Sequence, residues 1–187
     1  LIVMLGGLSG TLEVGEAAKE ALEDVRRYGD FSYSIIPDEE GRSHRFESIK
    51  DLFVGTIRDA ARNSIKWGKA TEVNVRYGNF TSLTETEQLR YMKNIGIRDP
   101  TEIKFYIMVE DNGTGVDPEQ ALAMTRYTND HSLTETTSFS EREGQEGGQG
   151  TNDLKTFISF HNARYLIERK GGGGTRAALF FKDTKLF

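Results

Sequence analysis

A carboxylate stands directly after an apolar run in the middle of the chain and is followed by two alternating glycines. Residues 105–110 are mostly apolar, and Asp111, Gly113 and Gly115 follow with one residue between each. Aspartate and glycine are ordinary turn residues, so a structural turn is one interpretation. The other is a site for adenine, whose exocyclic amine can donate to a fixed carboxylate, whereas guanine presents an oxygen there. Glycines let the backbone approach such a ligand without a Cβ clash.

A calcium-binding loop is the rival use of this aspartate. Calcium loops of the EF-hand type place side-chain oxygens at alternating positions. Gly113 and Gly115 occupy those positions after Asp111 and carry no side-chain oxygen. The sequence therefore excludes an EF-hand match.

A second group of polar residues lies on the helix predicted for residues 49–67. Asp59 and Asn63 are one helical turn apart and Lys66 follows three residues later, so all three lie near one face. A neutral Asn oxygen suits Mg²⁺ beside phosphate oxygens. Asp59 can orient or deprotonate a water, and Lys66 can face a phosphate. The alternative is a solvated polar helix face.

A glycine-rich stretch stands before another predicted helix. Gly148, Gly150 and Thr151 lie where free backbone amides at a helix start can bind an anion, although a G-x-G alone is weak evidence. They end a polar segment, residues 128–150, that is long for a loop inside a compact domain. We interpret that segment as a lid over a ligand or a disordered loop.

Hydrophobic periodicity predicts five helices and five strands. The helices are expected at residues 12–28, 49–67, 83–92, 117–127 and 151–161, with the third on the surface. The strands are expected at residues 31–36, 71–77, 103–109, 163–168 and 175–181, the last two joined as a hairpin across 171–174.

Composition excludes several function classes. The 187 residues suit one domain, and a net charge of −5 without a basic stripe argues against nucleic acid as a direct partner. The absence of cysteine rules out a disulfide framework, a thiolate zinc site and a cysteine nucleophile. His44, His131 and His161 have no metal-ligand spacing, and the apolar block 1–5 is too short for a signal peptide or membrane span. We expect a cytoplasmic protein.

In their order along the chain, these motifs resemble those of the GHKL ATPases. The order is a D-x-x-x-N helix, a strand with D-x-G-x-G, a polar segment ending in G-x-G, and a Gly-Thr strand, over about residues 49–181. The superfamily includes gyrase-type topoisomerases, the heat-shock ATPase chaperone, histidine kinases and MutL. Residues 111–127, followed by 148–150, look most like the MORC and chaperone-like branch.

The resemblance implies the Bergerat fold, an α+β two-layer sandwich whose mixed, mostly antiparallel sheet carries helices on one face. Residues 49–187 would form the ATP-binding domain with its lid at about 128–150. The resemblance does not cover residues 1–48, whose predicted helix and strand we interpret as an extension of the same domain.

The resemblance also assigns roles. Asn63 would hold Mg²⁺, and Asp111 would bind the adenine amine of ATP. Asp59 takes the place of the glutamate that acts as general base in the hydrolysing branches. The remaining cofactor-binding residues would be Lys66, Gly113, Gly115, Val116, Gly148, Gly150, Thr151 and Thr175.

The function expected from this resemblance is Mg²⁺-dependent ATP binding, with slow hydrolysis that drives lid closure or a conformational switch in a larger protein. Asp59 is one methylene shorter than glutamate, so two alternatives stay open. One is a histidine or serine kinase domain, and the other is a nucleotide-sensing module without turnover. The expected partners are ATP and a protein or further domains. A nucleotide-dependent dimer would need sequence outside this chain.

Overall fold

The computed structural model describes residues 10–130 and 148–182. None of the helices in these two ranges is long and apolar enough to cross a membrane. The strands are β1 (Gly10–Glu13), β2 (Ser32–Pro37), β3 (Arg45–Ser48), β4 (Glu72–Asn79), β5 (Phe105–Asp111), β6 (Ala163–Arg169) and β7 (Thr175–Phe181). The helices are α1 (Val14–Val25), α2 (Lys50–Lys66), α3 (Glu85–Ile95), α4 (Pro118–Asn129) and α5 (Gly148–His161).

The main sheet has five strands in the order β2-β4-β5-β7-β6. Only the β2–β4 pair is parallel, and the other neighbours in this sheet are antiparallel. All seven residues of the central strand β5 are buried, which is why its sequence is a continuous apolar run up to its two terminal acidic residues. The predicted mixed, mostly antiparallel sheet and the β6–β7 hairpin are confirmed.

One face of the sheet carries the larger core. Phe105, Ile107 and Val109 alternate along β5 and pack into a cluster with apolar residues of α1, α2 and α5. From α2 this cluster takes Phe53 and Ile57, among others. The α+β sandwich expected from the sequence is therefore confirmed, with its helical layer on this face.

Helix α3 is an addition on the opposite face. Its residues Tyr91 and Met92 form a second buried cluster with Tyr106 and Met108, which are the β5 residues that alternate with the first set. Leu89, on the outer side of the helix, is 60% exposed. The helix predicted on the surface at residues 83–92 thus also covers part of the sheet.

A small two-stranded sheet, formed by β1 and β3, was not predicted from the sequence. Gly10 pairs with Ser48 and Glu13 pairs with Arg45 in an antiparallel register. Each strand has four residues, too few to show a reliable alternation of polar and apolar side chains. The region between β2 and α2, where no helix or strand was predicted, therefore contains a strand.

Side chains of α4 occupy the outer edge of β6. Asn129 donates through Nδ2 to the Tyr165 carbonyl and accepts through Oδ1 from the Tyr165 N–H, both at 2.7 Å. Thr125, one helical turn earlier, bonds the N–H and the carbonyl of Ile167 at 3.1 and 3.4 Å. The amide and the hydroxyl take the place that a neighbouring strand would hold, and α4 is thereby fixed to the sheet.

Candidate functional site

Asp111 is the residue on which three separate segments converge. Its side chain, at the end of β5, is only 3% exposed. The Ser64 hydroxyl of α2 donates to Oδ2 at 2.6 Å, and the backbone N–H groups of Gly113 and Thr175 donate to Oδ1 at 2.8 and 3.1 Å. A buried carboxylate needs such donors to offset the loss of water. They fix the orientation of the carboxyl group.

Two glycines allow the backbone to close around Asp111. A Cβ on Gly113 would lie 2.2 Å from the carbonyl oxygen of Gly68, which also accepts the Thr114 N–H at 2.8 Å. A Cβ on Gly174 would lie 1.9 Å from the carbonyl oxygen of Asp111. Both contacts are too short for any side chain, so the packing of the loop 67–71 and of the β6–β7 hairpin requires glycine at these positions.

Thr175, the first residue of β7, ties the glycine-rich loop to the hairpin. Its hydroxyl accepts the N–H of Val116 at 3.1 Å, while its own N–H donates to Asp111. Lys170, at the other end of the hairpin turn, donates to the carbonyl oxygen of Asp111 at 3.0 Å. The hairpin therefore holds both the side chain and the backbone of Asp111.

Asn112 braces the same strand end from the other side. Its Oδ1 accepts the N–H groups of Thr71 and Glu72, each at 3.0 Å, and its Nδ2 donates to the Thr71 hydroxyl at 3.0 Å. These bonds join the start of β4 to the residue after Asp111. The aspartate is thus held on a rigid scaffold and does not sit in a free turn.

The three polar residues predicted on α2 differ in environment. Asp59 is half-buried, and its Oδ1 lies 3.4 Å from a guanidinium nitrogen of Arg62. Burial raises the pKa of Asp59. The positive charges of Arg62 and Arg58 act in the opposite direction, and the negative charge of Asp153 on α5 adds to the increase, so the pKa is raised overall. Asn63 is exposed, and the Lys66 ammonium lies 5.0 Å from the ring centroid of Trp67.

The contact between Ser64 and Asp111 joins α2 to the end of β5. Ser64 follows Asn63 directly, and its hydroxyl bonds Asp111 Oδ2. The last turns of α2, which carry Asn63 and Lys66, therefore lie against the segment that begins with Asp111. The C-terminal end of α2 and the end of β5 are therefore in contact through Ser64 and Asp111.

Comparison with known proteins gives matches among solved structures only. No protein-family model matches the chain, and no curated protein does. The ATP-binding domain of PrrB from Mycobacterium tuberculosis superposes with a TM-score of 0.60 at 16% identity, covering 93% of this chain and 96% of that one. The mycobacterial sensor histidine kinase MprB gives a TM-score of 0.61 at 14% identity, covering 93% and 97%. The catalytic domain of the histidine kinase ThkA gives 0.59 at 12%, covering 94% and 95%.

The chain has the fold of histidine kinase ATP-binding domains. The predicted resemblance to the GHKL ATPases, among which histidine kinases belong, is confirmed in fold. At 12–16% identity the likeness concerns the fold alone. The finer resemblance to the MORC and chaperone-like branch stays a prediction.

Within this histidine-kinase fold, the predicted phosphate-binding glycines lie at the start of α5. The helix begins at Gly148, three residues before the predicted start at Thr151, so Gly148 and Gly150 form part of its first turn. The predicted lid comprises residues 128–150. Its first residues belong to α4, and most of it, residues 131–147, lies outside the described residues.

Sequence reasoning missed three residues that shape the site. Ser64 lies among the buried residues of α2, and a polar residue between apolar neighbours was the available signal. Gly174 was predicted only as part of the hairpin turn 171–174, although it directly precedes Thr175. Gly68 carried no signal, because its role depends on a contact with a segment 45 positions later in the chain, at Gly113.

Proposed function

We propose that this protein binds Mg·ATP, with the adenine base at Asp111. The observation that carries the proposal is the carboxylate held by three donors at the strand end. An ionised carboxylate has about four acceptor positions, so one remains for a further donor. The exocyclic amine of adenine can supply that donor, whereas the oxygen of guanine cannot. Gly113 and Gly115, next to Asp111, would border the ring and ribose.

The polar residues of α2 would serve the phosphate end of the nucleotide. The exposed carboxamide of Asn63 fits Mg²⁺, which takes few protein oxygens and completes its shell with phosphate and water. No group of three or more His, Cys, Asp or Glu side chains that could hold a metal ion is found among residues 10–130 and 148–182. The bound ion would neutralise phosphate charge, and Lys66 would contact a phosphate directly.

Slow hydrolysis is the turnover we propose. Asp59 would orient or deprotonate the attacking water, and burial raises its pKa in the direction that makes a carboxylate a better base at neutral pH. Its pairing with Arg62 opposes this, which is one reason to expect a low rate. Gly148, Gly150 and Thr151 would bind phosphates, and ATP would drive closure of the segment 128–150 as a switch within a larger protein.

Phosphotransfer to a protein is the second candidate function. It is favoured by the fold, since each solved structure compared above is a histidine kinase or its ATP-binding or catalytic domain. Incubation with ATP labelled at the γ-phosphate separates the candidates. Hydrolysis releases labelled phosphate, phosphotransfer leaves label on an added protein partner, and a sensing module without turnover does neither.

Calorimetric titration tests the adenine assignment. We expect Mg·ATP to bind more tightly than Mg·GTP, and Asp111→Asn to weaken ATP binding by about 1.5–3 kcal/mol, because an amide nitrogen cannot accept the adenine amine and a charged hydrogen bond is lost. Asp99→Asn is the matched control. Asp99 caps a short helical turn through the Thr101 N–H and is exposed, so this substitution should leave affinity unchanged.

Thermal melting of each variant shows that the fold persists under the titration conditions. Unchanged ATP affinity in a folded Asp111→Asn variant, or a preference of the wild type for GTP, contradicts the assignment.

A further inference from the structure

A row of three charged side chains crosses the main sheet behind Asp111. Glu110 of β5, Arg176 of β7 and Glu168 of β6 are direct neighbours in the strand register. Because successive side chains of a strand point to opposite faces, Glu110 lies on the face that carries α3, whereas Asp111 lies on the other face. The Glu110–Arg176–Glu168 row is therefore separated from the candidate site only by the backbone of the sheet.

Arg176 bridges the two carboxylates of the row. Its Nε donates to Glu110 Oε1 and its Nη1 donates to Glu168 Oε1, both at 2.7 Å. A guanidinium group presents its nitrogens in a planar fork, so one side chain can bind two carboxylates in fixed directions. Arg176 thus fixes β5, β7 and β6 to one another at this level of the sheet.

The row is shielded from water. The side chains of Glu110, Arg176 and Glu168 are 10, 14 and 16% exposed. The guanidinium carbon of Arg176 lies 5.8 Å from the ring centroid of Tyr91 of α3, which is fully buried. Ion pairs in such surroundings are stronger and depend more on geometry than exposed pairs, which contribute little. The row is therefore held in one arrangement.

Each carboxylate of the row also has a second arginine beside it. Arg90 of α3 bonds both oxygens of Glu168, at 2.9 and 3.0 Å. Arg76 of β4 has a nitrogen 3.4 Å from Glu110 Oε1. Replacement of Arg176 therefore removes the bridge between the strands and still leaves a cation beside each acidic side chain.

The row lies where the regular pairing of β5 with β7 ends. Glu110 and Arg176 form the last pair in the register of these two strands. One residue further, the Thr175 N–H donates to the Asp111 side chain at 3.1 Å. The direction of this N–H depends on the spacing and twist of β5 and β7 at that point, which the Arg176 bridge fixes. Without the bridge, the Thr175 donor and the Asp111 carboxylate are free to shift against each other.

We propose that Arg176 is a positioning residue for Asp111 and thereby sets the preference of the site for adenine. This role rests on the function proposed above, in which Asp111 accepts the adenine amine. A hydrogen bond weakens steeply when its acceptor turns away from the donor, and a small displacement of a fixed group can cost much of its effect. A shift of Asp111 therefore lowers the affinity for the base and leaves the phosphate contacts unchanged.

The test is calorimetric titration of the intact chain and of Arg176→Lys with Mg·ATP, Mg·GTP and Mg·tripolyphosphate. Lysine keeps the positive charge but lacks the fork that binds two carboxylates. The ATP affinity is expected to fall roughly tenfold, an effect of the size produced by residues that act without touching the ligand. The affinities for GTP and tripolyphosphate should not change. A residue that only stabilises the fold would lower the melting temperature without changing the ratio of ATP to GTP affinity.

Lys182→Gln is the matched control. Lys182 follows the opposite end of β7, roughly 20 Å from Thr175, and pairs with Glu102 at 3.1 Å. Its replacement removes an ion pair of the same strand and should leave all three affinities unchanged. Glu110→Gln is the second variant, for use if Arg176→Lys does not fold. Glutamine keeps an acceptor for the Nε of Arg176 but loses the charge, so the ratio of ATP to GTP affinity should fall by a smaller factor.

The outcomes separate this proposal from the adenine site itself. A wild type without a preference for ATP contradicts the adenine site and, with it, the positioning role. A wild type that prefers ATP, together with a folded variant whose ratio of ATP to GTP affinity is unchanged, overturns the positioning role alone. A parallel fall of all three affinities in that variant overturns it as well, because the effect would not be confined to the base.

Discussion

Replacing Gly174 with alanine is expected to lower the free energy of unfolding by about 3 kcal/mol or more. The new Cβ would lie 1.9 Å from the carbonyl oxygen of Asp111, so the end of β5 or the hairpin must move. The residue also has φ of +88°, which costs an L-residue roughly 1–2 kcal/mol in addition to the overpacking. Because the Thr175 N–H follows Gly174 directly, the displacement also disturbs a donor to Asp111.

Two neighbouring glycines separate the clash from the backbone strain. Gly171 has no atom within 4 Å of a Cβ and no positive φ, so Gly171→Ala should change stability little. Gly172 has φ of +89° in open space, so Gly172→Ala should cost about 1–2 kcal/mol from conformation alone. Urea denaturation is expected to show the smallest loss of stability for Gly171→Ala, an intermediate loss for Gly172→Ala and the largest loss for Gly174→Ala. If Gly172→Ala and Gly174→Ala lower the free energy of unfolding equally, the close contact with Asp111 does not contribute to the destabilisation.

Acidification from pH 7 to pH 4 is expected to destabilise the protein by about 2–3 kcal/mol through His161. Burial lowers the pKa of His161 to about 4, while the unfolded chain has a value near 6.5. Between these two values the unfolded state binds a proton that the folded state does not. Stability therefore falls as the pH falls, and the loss is complete below about pH 4.

The packing around His161 explains the shift. The ring is 5% exposed, its Nε2 lies 2.8 Å from the Ser48 hydroxyl, and its centroid lies 4.6 Å from that of Phe157. Burial is the cause, because an imidazolium ion would lose its hydration in this packing. The neutral form is the one that fits the core.

Urea denaturation at several pH values between 7 and 4, compared with His161→Gln, isolates this contribution. Glutamine does not titrate, and its amide group has about the same reach as Nε2, the atom that bonds Ser48. Burial raises the pKa of the Asp38 carboxyl group, but the Asn79 N–H and His44 outweigh it and lower the pKa overall. Carboxyl groups of this kind contribute equally to both proteins and cancel in the difference. The wild type should lose more stability than the variant across this range. Parallel pH dependences of the two proteins would exclude His161 as the cause.

Local patterns in the sequence predicted most of the fold. Three elements each carry their signal within a short stretch of sequence: the helical periodicity of α2, the apolar run of β5 and the glycine turn between β6 and β7. The sheet β1–β3 and the position of α3 on the second face carry no such signal. They depend on which distant segment each short element meets, and that choice is made by tertiary packing.

The same distinction holds within the candidate site. Asp111, Asn63 and Asp59 could be named from residue type and spacing. The hydrogen bond from Ser64 to Asp111 could not, since it joins residues 47 positions apart and is formed only when α2 packs on the sheet. The close contact at Gly174 is likewise a property of two segments together, so the sequence alone shows only a run of glycines.

The side chains of α4 that occupy the β6 edge also limit how this protein can assemble. An open strand edge is a template on which further chains polymerise. Here Asn129 and Thr125 already use the backbone groups of Tyr165 and Ile167 that a recruited strand would need. Fibril growth or strand exchange through β6 would first require α4 to detach. At the opposite edge, β2 ends in Pro37, which has no N–H to offer a recruited chain.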